Sequence, residues 1–332
     1  MDIQRRKLIQ ALAAAGAAGF APAISRGEPP PETTRLRLNK VPSACLAPQY
    51  VAEALLRAEG FQQIEYVGGA MGGIPDAQRT GAGDVDIGMN FAAPLVVAID
   101  RGAPIVVLAG VHSGCFELFA NHSVNTITDL KGKTVSIVAQ NSAQHVFLAS
   151  IATSVGLDPN RDIRWVANPP AEGMRLLAQG AIDAYLGFPP DPQELRARKV
   201  GRLLLDSAAD RPWSQYFCCM IVANREWVAR HPVAAKRAAR AILKASELCA
   251  SDPDAGAKAF LAQGFPFDPG YAKQAIRELP FGKWREFNPE ETMRFYALRL
   301  REAEMVKGAP QRIIAAGADW RILDQLRREL KA

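Results

Sequence analysis

Apolar residues recur along this chain with two alternating spacings. Leu36, Leu38 and Val41 alternate with polar neighbours, the two-residue period of a strand. Pro42-Ser43-Ala44 interrupt it, and Tyr50, Val51, Ala54, Leu55 and Leu56 then follow a helical pattern up to Gly60. Next come a short strand over 64–67, a glycine-rich turn over 68–73, a short helix over 74–80 and a strand over 85–89. Asn90-Phe91 end that strand, and a new helix runs over 94–100. Ile105 to Val111 is apolar at almost every position, the pattern of a strand buried in a parallel sheet. Another strand is predicted over 116–120.

The middle of the chain repeats the alternation. Strands are predicted over 134–139, 163–166, up to Leu186, over 203–205 and over 216–223, with helices over 143–155 and 171–179. Gly83-Asp84-Val85-Asp86 and Gly180-Ala181-Ile182-Asp183 both join a helix end to an apolar strand, once in each half. That echo favours two similar α/β units over one long sheet. From Asn224 on, the pattern is helical, with Pro232, Pro253, Pro269 and Pro289 near helix starts, where a missing N–H costs nothing. No heptad pattern is sustained, so no coiled-coil partner is expected.

The N-terminus adds a different signal. Arg5, Arg6 and Lys7 precede a short apolar stretch from Leu8 and the triplet Ala21-Pro22-Ala23, the order of a secretory leader over 1–23. The paired arginines suggest twin-arginine export, with general secretion as the alternative. Removal leaves 309 residues (332 − 23), more than one core usually serves, so two lobes are expected. The net charge is +6, of which the leader supplies +2, leaving +4 with signs intermixed. That balance does not suggest a nucleic-acid groove.

Candidate chemistry is sparse. Gly68–Gly73 is neither a dinucleotide fingerprint nor a Walker loop, and there is no Gly-x-Ser-x-Gly or His-Glu-x-x-His. His112-Ser113-Gly114-Cys115 holds tempting side chains, but neighbours in sequence do not make a nucleophile–base pair. The four histidines, His112, His122, His145 and His231, have no metal-like spacing, and neither metal nor cofactor is expected. The five cysteines read as buried thiols serving as small apolar side chains, with pairing of Cys115 to Cys218 or Cys219 left open. Cys218 and Cys219, adjacent in a strand, would point to opposite faces.

Together the leader, the strand–Pro-Ser–helix opening, GAGDVDIGMN, APIVVLAG, ITDLKGKTVSI, the Ser-x-x-His helix start, GLDP, LLAQGAIDAYLG and the helical C-terminus resemble bacterial ABC-transporter substrate-binding proteins. The branch is similar to the nitrate/sulfonate/taurine type and to thiamine-precursor-binding proteins, and the resemblance covers about residues 36–306. It implies an α/β, two-lobed periplasmic-binding-protein fold (type II), with Rossmann-like lobes, two crossing strands and a helical C-terminal region. Lobe one would hold 35–114 plus 216–332 and lobe two 115–215, with crossings near 111–120 and 215–223. It further implies a periplasmic, non-enzymatic, monomeric binder of a small-molecule solute, working with an ABC permease and its ATPase. A ligand-sensing subunit and a thiamine-pyrimidine-synthase-like enzyme are the alternatives.

In open α/β lobes, ligands sit beyond the C-terminal ends of strands, where helices begin. That rule singles out Ser43, Ala44, Asn90, Phe91, Ser142, Gln144 and Phe188, and the family's ligand-facing helix start adds His145. Tyr216 joins them by its place at the return crossing. Ser142 is equally suited to cap its helix. The aromatics suit a flat body, and no arginine falls at these breakpoints. The expected solute is a small aromatic or heterocyclic molecule carrying at most one acidic group, with taurine-like sulfonates or nitrate as the alternative.

Overall fold

The computed structural model describes residues 28–68 and 72–330. The expected leader and its cleavage site lie outside the described residues, as does Gly69-Ala70-Met71 of the glycine-rich turn.

The described residues form ten strands: β1 (Arg35–Asn39), β2 (Gln63–Val67), β3 (Ile87–Phe91), β4 (Ile105–Ser113), β5 (Glu117–Ala120), β6 (Lys133–Ile137), β7 (Ile163–Ala167), β8 (Ala184–Gly187), β9 (Arg202–Asp206) and β10 (Phe217–Asn224). Helices α1 (Ala47–Val51), α2 (Glu53–Ala58), α3 (Ile74–Ala82), α4 (Ala92–Asp100), α5 (Ala143–Ser154), α6 (Pro170–Ala178) and α7 (Asp191–Ala197) lie between them. After β10 come α8 (Arg225–Arg230), α9 (Pro232–Ser251), α10 (Pro253–Leu261), α11 (Pro269–Glu278), α12 (Pro289–Glu302), α13 (Pro310–Gly317) and α14 (Arg321–Glu329). The predicted elements are present. Three short helices, α7, α8 and α13, escaped the sequence reading, because seven, six and eight residues are too few to display a helical period.

The strands sort into a parallel pair β1-β2, a three-stranded sheet β3-β10-β4 and a five-stranded sheet β7-β6-β8-β5-β9. β4 is not parallel to its neighbour as expected: it pairs antiparallel with β10. All nine of its residues are buried, so the apolar run reported burial on both faces and not strand direction. The chain passes from the three-stranded to the five-stranded sheet through Gly114–Phe116 and returns through Ser207–Tyr216.

The sequence echo has a structural counterpart. Asp86 and Asp183 each accept from a strand N–H 49 residues earlier, Arg37 at 2.8 Å and Thr134 at 2.8 Å. Each also donates its own N–H to the carbonyl of that same residue, at 2.9 Å in both cases. Asp86 O then receives Asn224 N–H and Asp183 O receives Asn121 N–H, again both at 2.9 Å. The same aspartate therefore ties strand starts together in each half. One large apolar core runs under both larger sheets, and a satellite of Phe119, Met174, Leu177, Ile182, Tyr185 and Leu195 lies beneath α6 and α7.

Candidate functional site

The chain leaves the ends of β1, β3, β6 and β8 toward one region. At the end of β1, Asn39 Nδ2 donates to Met89 O (2.8 Å), and the buried Gln49 clasps both strands. Its Nε2 donates to Asn39 O (2.8 Å) and its Oε1 accepts from Met89 N (3.0 Å). Gln49 therefore positions the loop that holds Ser43 and Ala44. Sequence reasoning passed over it because a glutamine within a helical run gives no signal of what it reaches.

Ser43 and Ala44 are fully buried. Ala44 N donates to Pro189 O at 2.9 Å, and Ser43 Oγ reaches the same oxygen at 3.4 Å. Pro189 directly follows Phe188, so the loop after β1 bonds the loop after β8. A second contact of this kind involves the glycine-rich turn. Ile74 N donates to Asn141 O at 3.1 Å. Gly73 has φ 105°, and a Cβ there would lie 2.7 Å from both Ala143 N and Asn141 O, so only glycine permits the approach. Asn90 holds this turn: Oδ1 accepts from Gly73 N (3.2 Å) and Phe91 N (2.7 Å), while Nδ2 donates to Gly73 O (3.1 Å). Asn90 is thus spent on positioning the turn.

Ser142 caps α5, its side chain accepting from His145 N at 3.3 Å. Gln144 is fully buried, and neither amide atom has a hydrogen-bond partner among the described residues. His145 Nδ1 accepts from Asn141 N at 3.2 Å, leaving Nε2 to carry the proton of the neutral ring. Its ring meets Trp165 edge-on at 4.9 Å. Burial alone pulls its pKa down to about 4. Phe91 lies 5.2 Å from Phe116 and 5.9 Å from Phe188, ring centre to ring centre, and Phe116 stacks on Phe147 at 4.6 Å. All four phenyl rings are buried, so in this arrangement they pack on one another. Tyr216 does not join them: it is half-buried and stacks on Phe295 at 3.9 Å, at the far end of the return crossing.

A family model described as the NMT1-like family matches residues 30–263, well over half of the chain. The chain belongs to the NMT1-like family. Among curated proteins, a taurine-binding periplasmic protein of Escherichia coli K12 is 26% identical over 175 residues. That match covers 52% of this chain and spans about half, 53%, of the relative. The nitrate-binding protein NrtA of Synechocystis PCC 6803 superposes with TM-score 0.71 at 16% identity, covering 91% of this chain and 90% of that one. The alkanesulfonate-binding protein SsuA of Xanthomonas axonopodis pv. citri superposes with TM-score 0.67 at 17% identity, covering 87% and 99%. These likenesses establish the periplasmic-binding-protein fold for this NMT1-like chain.

The cysteines resolve the alternative left open by the sequence. Cys115 and Cys218 form a disulfide, while Cys45, Cys219 and Cys249 remain buried thiols. The sulfurs of Cys218 and Cys219 were expected on opposite faces, yet they lie within 4.8 Å of each other, where the pairing of β10 with β4 is irregular. His112, in the segment that resembled a catalytic cluster, contacts Ser113 only through its backbone: Nδ1 lies 3.0 Å from Ser113 O. His112 instead meets Cys45 and Cys219, with ligand atoms all within 4.8 Å of one another, a group with donors suited to a soft metal ion. The separations, 67 residues from Cys45 to His112 and 174 from Cys45 to Cys219, hid it from any motif search.

Proposed function

We propose that this NMT1-like chain is the periplasmic solute-binding component of an ABC importer, made with a leader over 1–23 that is removed on export. In this reading 35–114 plus 216–332 form lobe one and 115–215 form lobe two. A monomer closes these lobes around one small molecule and presents it, unaltered, to a permease driven by its own ATPase. The observation that carries the reading is the meeting of strand ends from different sheets. Ala44 bonds Pro189, and Gly73 packs on the start of α5, as the jaws of a hinged binder do when shut.

The solute would contact Ser43, Ala44, Phe91, Ser142, Gln144, His145 and Phe188, with Asn90 holding the turn. Tyr216 is dropped from this set. Four features favour a flat, aromatic or heterocyclic solute with at most one acidic group. Phe91 and Phe188 supply apolar faces, Gln144 offers one donor and one acceptor, His145 is neutral, and no lysine or arginine stands among these residues. The names of the taurine-, sulfonate- and nitrate-binding relatives support the alternative of a small anion. A thermal-shift screen of the mature protein against aromatic acids, pyrimidines, sulfonates and nitrate decides between them, because a binder raises Tm by mass action. Aromatic or pyrimidine hits are expected, weakened by Phe91→Ala. A response to taurine or nitrate alone would overturn the aromatic reading and leave the importer role standing. Conversion of the hit into a product by clean protein would overturn the binder role itself.

A further inference from the structure

Cys45, His112 and Cys219 reach one point from three separate elements: the turn after β1, β4 and β10. All three are fully buried. The two sulfurs lie 3.7 Å apart. Ligands about 2.3 Å from a shared ion stand roughly 3.7–4.0 Å from each other, so this spacing suits two thiolates on one metal. It is also far longer than a disulfide, whose sulfurs are about 2.05 Å apart.

One side of the imidazole is placed for the same task. Nδ1 lies 3.0 Å from Ser113 O and Nε2 lies 2.9 Å from Cys45 O. A neutral ring carries one N–H, so it satisfies only one of these carbonyls. With the proton on Nδ1, bonded to Ser113 O, the Nε2 lone pair faces the Cys45 carbonyl oxygen, an arrangement two lone pairs do not favour. A metal-ligating histidine commonly donates its other N–H to a backbone carbonyl, which is the bond Nδ1 makes here. The 2.9 Å from Nε2 to the Cys45 oxygen leaves no room for an ion between them, so ligation requires Nε2 to turn from that carbonyl toward the sulfurs. The edge of the ring packs on Phe281 at 5.0 Å, fixing its plane.

Two thiols and one imidazole form a soft donor set. The group is buried and gathers three protein donors. A d10 ion content with three ligands fits better than Zn²⁺, which takes four.

We propose that Cys45, His112 and Cys219 form a three-coordinate site for Cu(I), set directly behind the Ser43-Ala44 loop. Binding replaces the proton of each thiol that still carries one, with no change in oxidation state: Cu(I) enters as Cu(I), and the thiol protons leave to solvent. The ion would tie that loop to β4 and β10.

The test is a Cu(I) titration of the anaerobic full chain, with the Cys115–Cys218 disulfide kept intact, in competition with bicinchoninate. One Cu(I) per chain is expected. Cys45→Ala and Cys219→Ala should weaken it by at least about 100-fold, the upper end of what even outer-shell changes do. Cys249→Ser, a buried thiol outside the group, should bind like the parent. Circular dichroism of each variant checks folding, and alanine is the substitution a small buried thiol best tolerates. His112→Gln adds a second line: it should retain the sulfur-to-copper absorption in weakened form. Absence of stoichiometric binding, equal binding by the Cys45→Ala/Cys219→Ala double variant, or a Cys45–Cys219 disulfide found by peptide mapping of the purified protein would each overturn the proposal. Preference for Zn²⁺ over Cu(I) would overturn the choice of ion. Solute binding is read separately, so its failure does not bear on this site.

Discussion

His145 is held without charge by burial, and that has a cost in acid. An unfolded histidine titrates near 6.5, whereas this one titrates at about 4 in the folded protein. As pH falls below the unfolded value, the unfolded chain takes up the proton first, so His145 contributes stability above about pH 6.5 that is lost as pH drops through 4. The loss amounts to about 3 kcal/mol at most. Asp191 has the opposite sign. Burial raises its carboxyl to about 7, against the hydrogen bond from Tyr185, so its neutral form stabilises the fold increasingly below that pH. Urea denaturation of the parent and His145→Gln at pH 7 and pH 4 separates the two terms. The parent should lose more stability than the variant on acidification, and equal losses would remove His145 from the account. Gln144 invites a different experiment. A buried amide with no partner costs about 1–3 kcal/mol, so Gln144→Leu should raise the Tm of the empty protein while abolishing solute binding. If the variant is less stable and still binds, Gln144 serves the fold and not the ligand. The sequence placed both residues at the start of α5 through the Ser-x-x-His pattern. It said nothing of their lacking partners, because burial depends on elements far away in the chain.

The two passages between the sheets meet at Gly114. Its φ is 45°, and a Cβ there would stand 2.2 Å from Ala208 Cα and 2.6 Å from Ser207 O. Ser207 Oγ accepts from both Cys115 N (3.0 Å) and Phe116 N (2.8 Å), and Ser207 N donates to Phe116 O at 2.9 Å. The outgoing and returning strands are thus laced together by one serine. Gly114→Ala should destabilise the protein by more than about 2 kcal/mol, since backbone and not a flexible side chain stands in the way. Ser207→Ala should cost about 1–3 kcal/mol by leaving two N–H groups unmatched. Chemical denaturation measures both, and a neutral Gly114→Ala would mean the passages move apart without penalty. Near this point the sequence suggested only a lobe junction. The apolar run of β4 and the break at Gly114 were visible, but the serine that answers them lies some ninety residues on.

Arg196 of α7 pairs with Glu117 at the start of β5 and with Glu278 of α11, while Gln193 Nε2 donates to Glu278 at 2.9 Å. These bonds join the five-stranded sheet's helix to the C-terminal helices, so they hold the shut arrangement proposed above. Glu278→Ala should weaken solute binding by about fivefold or less, because a part-exposed pair contributes about 1 kcal/mol at most. Scattering from the mature protein should show a smaller radius of gyration with solute than without. An unchanged radius would count against closure as the binding step.

The amino-acid order by itself determined the alternation of strands and helices, the family resemblance and the strand ends at which a ligand would be met. Each rests on local spacing: period-two runs such as Leu36-x-Leu38, capping at Ser142, the paired aspartates at 86 and 183. Only the tertiary structure decided that β4 runs antiparallel to β10, that Tyr216 stacks on Phe295, and that Cys115 bonds Cys218. The same holds for Gln49 clasping two strands and for Cys45, His112 and Cys219 gathering at one point. In every such case the partners are dozens of residues apart in sequence, and which side chains meet is set by how sheets and helices pack, a property no local pattern contains.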